Sequence, residues 1–150
     1  MALALNVLRN REDAEDVCQD TFIKVFFNLE KYDPAYEFRT WFYTVLSNRC
    51  RDRLRMRGRF LNFVRKAGGE ARAASRPASA ERGPGFDLDE NLLHELSPKE
   101  RITVCLWAQE GYNAEEISEV LHCAPSTVRV HLFKARRKIK AILEKKHAAM

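Results

Sequence analysis

Residues 97–146 read SPKERITVCLWAQEGYNAEEISEVLHCAPSTVRVHLFKARRKIKAILEKK, two helix-start signals followed by a third helix with a basic outward face. Ser97-Pro98-Lys99-Glu100 is a capping box: the serine oxygen accepts from the amide three residues on, the glutamate reaches back, and proline fills the first helical position. Gly111 stops that helix. Asn113-Ala114-Glu115-Glu116 repeats the start signal, and the short run with Ile117, Val120 and Leu121 ends at His122-Cys123-Ala124. Pro125 opens the last helix. A short helix, a tight turn and a second helix predict a helix-turn-helix.

At 100° per residue Val128, Leu132, Ala135, Ile139 and Ile142 share one stripe of the last helix, expected to be buried. The opposite side presents Ser126, Arg129, Val130, Phe133, Lys134 and Arg137, cations for phosphate mixed with groups sized for base edges and thymine methyls. The plainer reading is a solvated terminal helix. Two capped helices in front of it favour duplex DNA.

Charge sharpens this. The net charge of +5 is segregated: residues 55–85 hold eight Lys/Arg and two Asp/Glu, and residues 129–146 hold eight and one. The remainder holds ten basic and eighteen acidic residues. Two positive blocks on an otherwise negative chain imply a polyanion held at two places and a different partner for the acidic parts. The composition, 45% hydrophobic and 31% charged over 150 residues, fits one or two small soluble helical domains. Cys18, Cys50, Cys105 and Cys123 have no CxxC spacing and read as buried small apolar residues, with a zinc or redox role for His122-Cys123 as the sharper alternative. The apolar start, Met1 to Leu8, is too short to span a membrane, so no membrane insertion and a cytoplasmic protein are expected.

The expected fold class is all-α, two small helical domains joined by a flexible linker. Periodicity is lost from Arg57 to about Phe86, where glycines and prolines accumulate, so the division is 1–59, a linker over 60–87, and 88–150. Leu61, Phe63 and Val64 could form a short amphipathic turn inside the linker. In the first block a helix is predicted over Glu12 to Leu29, with Ala14, Val17, Cys18, Thr21, Phe22, Val25 and Leu29 as its apolar face. Its other side places Asp13, Asp16 and Asp20 beside Ile23 and Phe27. That mixture suits a basic, apolar-tipped protein partner, unless Ile23 and Phe27 touch another helix of the same domain. After a loop over residues 30–37, set by Asp33-Pro34, a helix from about Phe38 to Met56 is expected. Phe38, Phe42, Val45 and Leu46 form its core stripe. Thr40, Thr44, Asn48, Arg51 and Arg55 form a polar face that grows basic, bordered by Trp41. Rings beside cations suit an unpaired strand, with core packing the alternative for Trp41 and Tyr43.

Four segments, Arg11 to Phe22, Phe38 to Tyr43 with Asn48, Leu96 to Arg101 and Thr127 to Arg136, together resemble the extracytoplasmic-function sigma factors of the bacterial sigma-70 family. The two blocks then correspond to a region 2 bundle and a region 4 helix-turn-helix. The resemblance implies a sigma factor that binds core RNA polymerase, directs transcription initiation at promoter DNA and is not an enzyme. It assigns polymerase binding to Asp16, Gln19, Asp20, Ile23 and Phe27. The minus-ten element falls to the Tyr32 to Phe38 loop, with Tyr36, and to Trp41, Asn48, Arg51 and Arg55. The minus-thirty-five element falls to Ser126, Thr127, Arg129, Val130, Phe133, Lys134 and Arg137. It also implies an anti-sigma factor as partner and threads the linker through the polymerase channel. No cofactor or metal is expected.

Two departures from the family pattern stand out: the first helix is shortened to Met1–Leu8, and Val130 and Lys134 replace a small polar residue and an arginine, which would alter promoter preference. A dimeric helix-turn-helix regulator is the runner-up, and would need a symmetric apolar surface. A redox-sensing interaction protein is the third reading. No Ser-His-Asp set, metal-ligand cluster or phosphate-cradling glycine loop suggests catalysis.

Overall fold

The computed structural model describes residues 1–68 and 90–150. Two compact units divide within the stretch between them. Among the described residues every regular element is helical.

The first unit holds α1 (Ala2–Leu8), α2 (Arg11–Phe27), a 3-10 turn (Leu29–Lys31) and α3 (Phe38–Lys66). Arg9 ends α1 in the left-handed region at φ 55°, and the Asn10 side chain then caps α2 by accepting from the Asp13 amide at 2.9 Å. This tight reversal lets Leu3, Ala4, Val7 and Leu8 of α1 pack on Ala14, Val17 and Val25 of α2 and on Leu46 and Cys50 of α3. Thr21 joins the core because its hydroxyl donates to the Val17 carbonyl at 2.7 Å, leaving no bare polar atom there. Arg57 ties the end of α1 to α3: one nitrogen donates to the Leu8 carbonyl at 2.9 Å and another pairs with Asp13.

Several sequence expectations change here. α3 continues to Lys66, ten residues past Met56, so Phe60 to Lys66 are helical and not the start of a linker. Leu61, Phe63 and Val64 lie on that helix, and the rest of the expected linker lies outside the described residues. Thr40, assigned to the polar face, is buried, while Phe38, assigned to the core, is exposed at the first turn. Phe22 and Leu29 are also exposed instead of buried. The stripe buried from α2 is narrower than its hydrophobicity implied, because among the described helices α1 and α3 are the ones that pack on it.

The second unit holds α4 (Glu90–His94), α5 (Pro98–Ala108), α6 (Ala114–Leu121) and α7 (Pro125–Ala148). Both capping boxes form, Ser97 with Glu100 and Asn113 with Glu116. Gly111 adopts φ 69° between α5 and α6, a conformation costly for any residue with a Cβ. His122 ends α6 at φ 52°, and the Cys123 amide donates back to Ser118. The three helices close over Ile102, Leu106, Ile117, Val120, Val128, Leu132 and Ala135, as the stripe of α7 required. Ile139 and Ile142 are half-buried at its trailing end.

Candidate functional site

The short α6, the His122 turn and Pro125 at the first position of α7 leave the outer face of α7 uncovered for its first four turns. Ser126, Thr127, Arg129, Val130, Phe133, Lys134 and Arg137 are all exposed along it. Arg129, Val130, Leu132, Phe133 and Arg136 line a shallow groove. Its cations are held in place. Arg129 donates to Glu115 of α6 at 2.8 Å, Arg136 sits 4.9 Å over the Trp107 ring of α5, and Arg137 lies 5.9 Å from the Phe133 ring. Guanidinium groups held near one orientation lose less rotamer freedom when they meet a base edge or a phosphate. The sequence pattern had the cations but not Glu115 or Trp107, because those partners arrive from other helices.

Behind this face lies a buried carboxylate. Glu100, 4% exposed, accepts from the Ser97 amide at 3.0 Å and from Lys138 of α7 at 2.8 Å. The cap of α5 thus also anchors α7.

A second constellation forms where α3 begins. Asp33 makes an Asx turn by accepting from the Ala35 amide at 2.9 Å, and the Tyr32 hydroxyl donates to the Tyr36 carbonyl at 2.6 Å. The loop is therefore folded on itself, with Tyr36 exposed at its tip. Tyr32 stacks on Trp41 with centroids 5.3 Å apart, and Phe38 meets both rings edge-on. Trp41 is thus half-buried in a surface cluster, between the two readings its sequence allowed. About two and four turns on from Trp41, Asn48 accepts from Arg51, and Arg55 is exposed beside Asp52 at 3.6 Å. The structure brings Tyr36, Trp41, Asn48, Arg51 and Arg55 to one helix and its leading loop. Tyr32 and Phe38 complete the ring cluster; the aperiodic loop gave no sign of their contacts.

The third surface is on α2. Asp16, Gln19 and Asp20 are exposed, as are Ile23 (56%) and Phe27 (73%), so among the described residues neither apolar side chain is covered by a helix of its own unit. Phe26 is exposed and edge-on to Phe27, an apolar neighbour the sequence pattern overlooked. Asp13 departs from this face: it turns to α3, with Arg57 and, at 3.6 Å, Arg53. Asp16 stays outward, 3.8 Å from Arg53.

Among the described residues there is no cluster of three or more His, Cys, Asp or Glu able to hold a metal ion, and no helix long and apolar enough to cross a membrane. The four cysteines are free thiols; Cys50 and Cys105 are buried, while Cys18 and Cys123 are only half-buried. The three faces differ in chemistry: cations and rings dominate two of them, and carboxylates with apolar residues the third.

Two family profiles match this chain, Sigma-70 region 2 over residues 1–67 and Sigma-70, region 4 over residues 90–139. The chain is 30% identical to the ECF RNA polymerase sigma factor SigE of Mycolicibacterium smegmatis, the match covering 95% of this chain and 56% of that protein. It is also 30% identical to the RNA polymerase sigma factor CnrH of Cupriavidus metallidurans, over 88% of this chain and 74% of that one. The fold resembles the sigma factor RpoE of Bartonella quintana, solved with the anti-sigma factor NepR, at a TM-score of 0.77 and 22% identity over 95% of this chain and 88% of that chain.

Proposed function

Because the chain belongs to the extracytoplasmic-function branch of the sigma-70 family, RNA polymerase sigma factors that direct transcription initiation at promoters, we propose that its three exposed faces divide that work. The α2 face docks on core polymerase through Asp16, Gln19, Asp20, Ile23 and Phe27. Carboxylates steer the approach and the apolar side chains supply the desolvated contact. The start of α3 takes the unpaired strand of the minus-ten element, with Tyr36 and Trp41 offering rings and Asn48, Arg51 and Arg55 offering hydrogen bonds and charge. A base held out of the stack by these groups favours the open duplex without nucleotide hydrolysis. The outer face of α7 reads the minus-thirty-five duplex through Ser126, Thr127, Arg129, Val130, Phe133, Lys134 and Arg137. In this reading the protein is an initiation factor without chemistry of its own, acting beside polymerase in the cytoplasm. An anti-sigma factor, like the one bound to the Bartonella relative, would act by covering these faces.

The observation that carries the proposal is the coexistence, within one unit, of an uncovered acidic-apolar face on α2 and an aromatic-cationic one on α3. A dimeric regulator would need neither. Run-off transcription with core polymerase and a promoter library tests the activity and reports the recognised sequence. The double variant Asp16→Lys/Phe27→Ala should keep its helical circular dichroism and lose capture of core polymerase. Unchanged capture would remove α2 from the assignment.

A further inference from the structure

The distal half of α3 is left unexplained by the three faces. Residues 53–68 contain six Lys/Arg and no Asp or Glu. Arg53 and Arg57 are spent on Asp13 and Asp16 of α2, but Arg55, Arg59, Arg65 and Lys66 point to solvent. Met56 (61%), Phe60 (67%) and Phe63 (70%) are exposed along the same stretch. No ring is packed on either phenylalanine among the described residues. The helix runs more than four turns past Cys50, the last buried residue of its core, and among the described residues that stretch leaves three large apolar side chains uncovered, a patch of the kind that marks an interaction surface.

The helix geometry points to what that occupant is. At 100° per residue, Trp41, Asn48, Arg55, Arg59 and Lys66 fall in one sector about 40° wide. Phe63 and Met56 lie beside that sector, about 60° and 80° from its centre, and Phe60 extends the exposed surface further round the helix, at about 120°. The aromatic-cationic face at the start of α3 is therefore continuous with the distal one. From Arg55 to Phe63 the helix rises about 12 Å, room for about three nucleotides at the 3.4 Å spacing of a stacked strand. Beyond Asp52, which pairs with Arg55 at 3.6 Å, the distal face holds rings and cations and no carboxylate, which matches the chemistry of a nucleic-acid strand. An acidic peptide would also meet the charge, but only the strand explains why the face continues the one at Trp41 and Asn48.

We propose that Phe60 and Phe63, with Met56, Arg59 and Lys66, form a second platform on which about three unpaired DNA nucleotides flanking the minus-ten element stack. The inference rests on the reading of the first half of α3 given above. It widens the strand grip beyond the element itself, so that holding the strand open is shared between two ends of one helix.

The test uses holoenzyme reconstituted from the full chain and core polymerase, with fluorescent forked DNA carrying the minus-ten sequence recovered from the run-off library. One probe ends its unpaired strand at the element; others extend it by three unpaired nucleotides upstream or downstream, or by the same three nucleotides base-paired. The wild type should bind one of the unpaired extensions at least about tenfold more tightly than the short probe, the gain of a single base–ring stack. Phe60→Ala/Phe63→Ala, both at exposed positions, should reduce that gain to within about twofold and leave the short probe unchanged. Arg59→Ala/Lys66→Ala should lower the salt slope on the extended probe by about 1.4. Equal binding of paired and unpaired extensions, a gain that survives in the phenylalanine variant, or loss of core polymerase by that variant would each overturn the proposal. The base reading has its own control. If Trp41→Ala leaves the short probe unaffected, the first half of α3 is misassigned and this inference falls with it.

Discussion

Glu100 carries more of the second unit than its place in a helix cap suggests. Its burial alone would raise the carboxyl, but the hydrogen bond from Lys138, the Ser97 amide and the nearby charges of Lys138 and His131 together hold it below the ordinary 4.5. His131, one turn before Ala135 on α7, is pushed below its ordinary 6.5 by burial and by the charge of Lys99, with Lys134 adding and Glu100 opposing. Both shifts have the same sign in their effect on folding. For each group the unfolded chain takes up its proton first as pH falls, so acid favours the unfolded state. His131 acts just below pH 6.5, and Glu100 only below about 4.5. The melting temperature of the second unit should therefore fall between pH 7 and 5, measured by circular dichroism, and His131→Gln should flatten that slope while leaving the loss below pH 4.5. A separate cost attends Lys138→Ala. It leaves a buried carboxylate with one backbone donor, for a loss of about 1–3 kcal/mol at neutral pH, and a melting temperature unchanged in that variant would show that the pair does not anchor α7.

On the scale of helices, α7 depends on two others for the aim of its arginines. The Glu115–Arg129 pair is exposed, and as a stabilising contact it contributes little, about 0–1 kcal/mol. Under the proposed function its effect on DNA would differ, because an arginine held by α6 would meet the duplex from one direction. Arg129→Ala/Lys134→Ala should lower the salt slope of minus-thirty-five duplex binding by about 2, measured by fluorescence anisotropy. Glu115→Gln should leave that slope nearly intact and narrow the margin between the preferred site and a scrambled one; a margin unchanged by Glu115→Gln would make the pair incidental. The bounds of these helices were legible in the chain because Ser97, Asn113 and Pro125 act on backbone groups within three residues. The end of α3 was not. Gly58 lies inside the continuous helix, and the loss of apolar period after Met56 reflects the lack of a packed neighbour among the described residues and not the end of the helix. Thr40 and Phe38 exchanged places for a related reason. The threonine is buried, while the phenylalanine finds Tyr32 of the aperiodic loop and Trp41 at the surface.

At the scale of the whole chain, the proposed recognition would divide between two units with separate cores, Val7, Leu8, Leu46 and Cys50 in one and Ile102, Leu106, Ile117 and Val128 in the other. Each core is closed by helices of its own unit, so each unit should fold when expressed alone as residues 1–68 or 90–150. The covalent connection then serves recognition and not stability. Two grips on one promoter, each weak, reinforce one another when the second binds at an effective concentration near the millimolar range. Mixing the two fragments at micromolar concentration replaces that with a concentration about a thousandfold lower. The first fragment should still capture core polymerase and the second should still bind minus-thirty-five duplex, yet their mixture should direct run-off transcription far more weakly than the intact chain at equal concentration. Transcription by the mixture equal to that of the intact chain would mean that one unit alone, or polymerase itself, brings the two DNA elements together, and that the charge segregation along the sequence reflects two independent binding events.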